Sequence, residues 1–365
     1  MFDRKPPPPA GPTLLDRVVK SQCRRVAVLG LHPGAGARTV LSALVRDVHT
    51  RQWPMAVLSS PGLPLEPDEV AIRRSVIRVE MPEGAWVATA EATVAESSAE
   101  LERNETTPWE TLLGPIGVYR VARAGEVSLH GPTEPEATRE LVSRLSDRSG
   151  GLVFVEGGWE RRAFAAPGTC DGIVLAVAAG YSASPERSAA AARYLVETLS
   201  VPPCGEAARS AWQETASKGA AALLDARGRM GGVLPPGLED PVPALRTPDG
   251  EPVSTVVLPF GLNDEFMIPV VRSQMRCTLV VRDATRLNVS PVYFKAWLKG
   301  GGRIHVVHTT KLVGLATSPF NPSGPDADPD EFRMAVATAL PELPVHDVVI
   351  EAPEEPRKSI WKFWE

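Results

Sequence analysis

Residues 26–41 read VAVLGLHPGAGARTVL, and this stretch decides the fold class. An apolar, β-branched run from Val26 to Leu29 stops at Gly30 and gives way to a glycine-rich turn. From Ala37 the segment ARTVLSALVRDV takes up the apolar spacing of a helix. Strand, glycine turn, helix is the order in which a chain cradles phosphate. Small residues let backbone N–H groups converge on an anion, and the helix N-terminus adds partial positive charge. The candidate contacts are Gly34, Ala35, Gly36, Ala37, Arg38 and Thr39. Where such loops carry Gly-Lys followed by Ser or Thr, this chain has Ala37-Arg38-Thr39. Thr39 keeps the hydroxyl that ligates Mg²⁺. Arg38 keeps a positive charge as a wide planar fork, not a compact ammonium. Ala37 adds a Cβ at a place usually left without one. A plain βα turn would explain the glycines equally well, so the rest of the chain has to decide.

Glu156 is the second informative residue. It closes the apolar run GLVFV in the sequence EGG, and Gly30 and Glu156 would both lie at the carboxyl ends of strands, where open α/β sheets bind ligands. A carboxylate there can hold Mg²⁺ directly or through water, which makes Thr39 and Glu156 the candidate metal ligands. An exposed acid in a strand-to-loop turn is the alternative. Asp171 is a weaker candidate, able simply to begin the next strand. Arg161 and Arg162 follow the EGG turn and suit either a phosphate or ordinary loop charge. His32 receives no catalytic role. His305 and His308, three apart on a predicted strand, would face opposite sides and share no metal.

A chain of 365 residues accommodates two domains, or one α/β domain with a large appendage. The net charge of −5 argues against a large electrostatic footprint for nucleic acid. The cysteines, Cys23, Cys170, Cys204 and Cys277, are far apart and form no CxxC, as expected of isolated thiols in a reducing compartment. The lead MFDRKPPPPAGPT has no apolar core of a secretory signal, and no stretch has the apolar length of a membrane span. The reading is a soluble cytoplasmic protein.

Along the chain, residues 1–13 read as a disordered proline-rich lead and LLDRVVKSQC (14–23) as a short helix. Strands are predicted at 54–59 and 75–84, then an alanine-rich helix at 85–102. Segments 116–122 and 125–132 read as a strand pair, 137–148 as a helix, and 151–158 and 171–180 as strands covered on both faces. A helix at 187–200 completes an α/β domain over 14–200. Residues 201–253 form a proline- and glycine-rich connector with one helix near 209–227. Alternation resumes over 254–351 as a smaller C-terminal α/β module, either a domain or an extension of the same sheet. The tail 352–365 carries Ile360, Trp361, Phe363 and Trp364, which suit a partner pocket or a fold-back contact. The predicted class is α/β, a doubly wound, mostly parallel sheet of the phosphate-loop NTPase type with that smaller module.

The glycine loop together with the strand ending in VEGG resembles the dethiobiotin synthetase-like branch of phosphate-loop proteins. More specifically, the chain resembles the phosphate-loop subunit of the lysine 5,6-aminomutase reactivase family, with a degenerate Walker A motif. The resembling segments are GAWVATAEATV (84–94), GPIGVYRVARAGEVSLHGP (114–132), LVFVEGGWERRAFAAP with CDGIVLAVAAG (152–180), and NVSPVYFKAWLKGGGRIHVVHTTKLVGLATSPFNP (288–322). The resemblance implies an accessory subunit beside a MutS-like ATPase. Together they would restore an adenosylcobalamin-dependent aminomutase, with ATP or another nucleotide and Mg²⁺ as ligands. Family members usually carry Gly-Lys-Thr in the loop, and Ala37-Arg38-Thr39 departs from it. Two other readings stand beside this one: a non-catalytic scaffold that keeps the fold, and a stand-alone ATP-dependent ligase or kinase of the dethiobiotin synthetase type.

Overall fold

The computed structural model describes residues 12–32, 36–61, 75–182, 184–234, 242, 245, 253–321 and 324–348. The proline-rich lead up to residue 11, Gly34, Ala35 and the tail 352–365 lie outside the described residues. The chain forms two compact units, the first ending at Arg193 and resuming at Leu312, the second spanning Tyr194–Lys311.

The first unit opens with α1 (Leu14–Lys20) behind a capping box, in which Thr13 and Asp16 each accept the other's backbone N–H. There follow β1 (Arg25–Gly30), α2 (Ala37–Thr50), β2 (Met55–Ser59), β3 (Ile77–Met81), β4 (Trp86–Ala90), α3 (Glu91–Val94), β5 (Glu100–Thr111), β6 (Gly114–Arg123) and β7 (Gly125–Leu129). Next come α4 (Pro135–Ser149), β8 (Leu152–Gly158), β9 (Gly172–Ala178) and α5 (Pro185–Leu199), which leads into the second unit. The second unit holds α6 (Glu206–Thr215), β10 (Ala221–Leu224), β11 (Met230–Leu234), β12 (Thr255–Val257), β13 (Leu262–Asn263) and α7 (Asp264–Arg272). It ends with β14 (Thr278–Val281), β15 (Leu287–Asn288), α8 (Pro291–Lys299) and β16 (Arg303–Val306). Back in the first unit lie β17 (Leu312–Ser318), α9 (Pro329–Ala339) and β18 (Val345–Asp347).

The sheet of the first unit runs β18-β17-β9-β1-β8-β2-β4-β6-β5 among the described residues. From β18 to β4 every neighbouring pair is parallel, and β6 and β5 add an antiparallel edge. The fold is therefore α/β around a large mixed sheet. Strands β2 and β9 are buried along their whole length, which requires cover on both faces. One face packs Val26, Val28, Met55, Val57, Phe154, Val174 and Ala176 against α1 and α2. Helix α4 contacts β2, β4 and β8, and its buried Leu141, Val142 and Leu145 belong to a different part of the core. From β1 the chain moves to β2 on one side, and from β9 it moves to β17 and β18 on the other. The order thus reverses around β1, which is where open sheets leave a crevice.

Several sequence expectations change. The predicted helix 85–102 becomes β4, one short helical turn and the start of β5, because Trp86 to Ala90 pair with β6 and Trp86 to Ala88 with β2. Ladder pairing there outweighs the helical preference of the alanines. β5 (ELERNETTPWET) went unpredicted because it is an exposed edge strand in which only Thr107 is buried. Segments 116–122 and 125–132 do not pair with each other: β6 joins the main sheet, and β7 pairs with β3. The helix predicted near 209–227 stops early, since Gly219 turns with φ +64° and Ala221–Leu224 pair as a strand. The boundaries 201–253 and 254–351 also shift. Residues 206–234 build helix and strands of the second unit, while β17 and β18 extend the first sheet.

In the second unit the sheet order is β11-β10-β12-β14-β16, with β12, β14 and β16 parallel, and β13 and β15 form a separate short parallel pair. α7 keeps its internal Pro269 and is capped by the Asn263 side chain. His308 lies past the end of β16 and meets Trp212 edge-on, so it and His305 do not share one strand. The cysteines are buried and free, and burial pushes the Cys277 thiol up to about 12. Among the described residues no helix is long and apolar enough to cross a membrane.

Candidate functional site

The alternation that builds the core also builds the site. Side chains two residues apart share a sheet face. On the face where Val57, Phe154, Ala176 and Ala316 pack with α2, the next positions toward the carboxyl edge are Ser59, Glu156, Ala178 and Ser318. Val28 leads in the same way to Gly30. The start of α2 therefore faces small or polar residues from β2, β8, β1, β9 and β17. Sequence reasoning found Gly30 and Glu156 but missed Ser59 and Ser318. Their signal was a hydroxyl two positions beyond a buried apolar residue at the end of a strand.

Gly36 is the N-cap of α2, with φ +82° and no side chain of its own to cap the helix. A Cβ added there would lie 2.8 Å from Ala178 Cβ, so both backbone angle and space require glycine. Ala37 is the first helical residue and is buried, and its Cβ lies 3.3 Å from where a Cβ on Gly30 would stand. The methyl group that departs from the usual loop is thus accommodated because residue 30 has no side chain. Arg38 and Thr39 are both half-buried in the first turn. Burial lowers the Arg38 pKa, while the charge of Glu156 acts in the opposite direction.

Glu156 is 9 % exposed and pairs in register with Val28 and Ser59. Ser59 Oγ donates to Glu156 Oε2 at 3.4 Å, and the Ser60 N–H donates to the Glu156 carbonyl at 2.7 Å. Burial raises the carboxyl to about 7; Arg38 and the Ser59 hydroxyl pull it down, and Glu160 pushes it further up. Such a group holds or releases a proton near neutrality, and a cation beside it would fix its charge. Gly157 is needed for space, since a Cβ there would lie 2.5 Å from the Phe164 ring and 2.9 Å from the Ser60 carbonyl oxygen.

Asp171 falls at the opposite edge of the sheet, while Arg161 and Arg162 lie in the turn that follows β8. Asp171 sits at the amino end of β9, where it accepts from the Arg24 and Arg25 N–H groups and the Arg25 guanidinium. Arg161 donates to the Thr133 carbonyl, and Arg162 donates to the Trp159 carbonyl at 3.1 Å and stacks over its ring. These arginines hold the loop after β8. His32 is exposed. His130 follows β7, is buried, and is held by burial at about 4, with its Nδ1 3.2 Å from Ser75 Oγ.

Among the described residues no group of three or more His, Cys, Asp or Glu side chains could hold a metal. The donors present at the edge, the Thr39 hydroxyl and the buried Glu156 carboxylate, are hard oxygens. They suit Mg²⁺, which takes few protein ligands and completes its shell with water and phosphate. No family model matches this chain, and neither does any curated protein or solved structure.

Proposed function

We propose that this chain is a nucleotide-binding accessory subunit of an ATP-dependent reactivase for an adenosylcobalamin-dependent aminomutase, acting in the cytoplasm beside a MutS-like ATPase. The observation that carries the nucleotide reading is the meeting of the glycine-started α2 with the buried acid of the neighbouring strand. The helix start offers N–H groups and partial positive charge to a phosphate. Thr39 and Glu156 would hold the Mg²⁺, which neutralises phosphate charge when bound. The sheet order reverses around β1, and open α/β sheets bind ligands at such a crevice, which supports a ligand at the start of α2. Support for the reactivase role comes from the resembling segments, which fall in β4, β6 to β7, β8 to β9 and β15 to β17.

A second reading, a non-catalytic scaffold, is favoured by Arg38. Its charge is felt at Glu156 and can stand in for the cation that the acid would otherwise take. The test is thermal unfolding of the full chain with and without excess MgATP or MgADP, beside an Arg38→Ala, Thr39→Ala variant. At a hundredfold excess over its dissociation constant a nucleotide stabilises the native state by about 2.7 kcal/mol. A shift present in the wild type and lost in the variant supports the subunit reading. No shift with either nucleotide leaves the scaffold. Product formation by the isolated chain would favour the stand-alone ligase or kinase.

A further inference from the structure

Ser318 ends β17, the strand with which the chain re-enters the first sheet after the second unit. It lies on the same sheet face as Ala316, which packs in the core with α2. A Cβ built on Gly36 would stand 3.3 Å from Ser318 Cβ, so this side chain closes directly on the start of α2. Ser318 is 1 % exposed, and its Oγ is buried with no hydrogen-bond partner among the described residues. Its backbone is in use, since the carbonyl accepts from the Ala179 N–H at 3.1 Å. A hydroxyl shut away from water without a partner destabilises a fold, and alanine would occupy the same space without that cost. The helix start facing it has a glycine at its N-cap, which offers no side chain to cap it.

We infer that Ser318 is a ligand-binding residue, whose O–H donates to a phosphate-class oxyanion held at the N-terminus of α2. The oxyanion receives backbone N–H groups from the helix side and this hydroxyl from the strand side. The site is thereby closed by a residue 282 positions after Gly36 in the chain. The inference rests on the reading of this loop as a phosphate site. The oxyanion can be part of a nucleotide or free inorganic phosphate, and the test separates the two.

Isothermal titration of the full chain and of Ser318→Ala with MgATP, MgADP and inorganic phosphate decides the matter, together with melting of both proteins without ligand. The unliganded variant is expected to melt at or above the wild type, because the lost hydroxyl had no partner. Whichever probe the wild type binds, the variant should bind at least about tenfold more weakly, the scale of one hydrogen bond to a charged group. Equal affinities would overturn the role of Ser318 and leave the nucleotide reading intact. Phosphate binding without nucleotide binding, weakened in the variant, would support Ser318 and overturn the nucleotide reading. Failure of every probe to bind would overturn both. A variant that melts well below the wild type without ligand would assign the hydroxyl a structural role and overturn the inference.

Discussion

Replacing Glu156 by glutamine removes a buried charge at the centre of the site and should stabilise the unliganded protein in a pH-dependent way. Burial raises this carboxyl from 4.5 to about 7, with Arg38 and Ser59 opposing the rise. Between those values the native state keeps a proton that the unfolded chain has released. The native state therefore binds more protons, and stability falls as pH rises through that window. Below the unfolded value both states are protonated and no penalty exists; above the folded value the penalty is complete. At about 1.4 kcal/mol per pH unit, the interval amounts to roughly 3 kcal/mol. Glutamine carries no charge at any pH. Glu156→Gln should thus exceed the wild type by about 1 kcal/mol or less near pH 5 and by roughly 3 kcal/mol at pH 8. Other titrating groups, His130 among them, are common to both proteins and cancel in the difference. Paired thermal or guanidinium unfolding between pH 5 and 8 without nucleotide measures it, with an expected gain of roughly 6–12 °C at the alkaline end. A difference that stays flat with pH, or that turns in favour of the wild type as pH rises, would refute the reasoning.

Gly36→Ala should cost about 1–3 kcal/mol in unfolding experiments, because it combines positive φ with a 2.8 Å contact to Ala178. Gly168→Ala is the matched control, with φ +95° and nothing within 4 Å, and should cost less; equal losses would mean that Ala178 does not restrict the loop. Although burial acts to raise it, Asp171 is held below the ordinary carboxylate value by hydrogen bonds from Arg25 and Arg24. The stability it contributes is present above 3.8 and lost as pH falls through the lower folded value. Asp171→Asn should therefore lose about 1 kcal/mol at pH 7 and progressively less as pH falls below 3.8, with a pH-independent loss counting against the ion pair. Phe154→Ala, at a fully buried position on β8, should lose about 3–5 kcal/mol in urea titration, and a loss under about 1 kcal/mol would contradict the packing of α2 on that strand.

Local chemistry was enough for the elements that carry their own signal. Val26 to Leu29, Val153 to Val155 and Ile173 to Val177 are continuous apolar runs, so burial on both faces and a sheet flanked by helices follow from hydropathy. Glycines at 30 and 36 marked the turn between β1 and α2, and the acid after GLVFV marked the carboxyl edge. The structure alone decided which strands are neighbours. Nothing in Leu312–Ser318 reveals that this strand returns to β9 past an entire second unit, because pairing depends on the path of the chain and not on local preference. β5 was illegible for the opposite reason: an exposed edge carries charges on both sides and shows no alternation. The same limit governs the site. The sequence places Arg38 and Thr39 after a glycine turn, but only strand order brings Glu156, Ser59 and Ser318 to that helix start. Sheet alternation and burial then determine which of those side chains face it and how strongly they hold a charge.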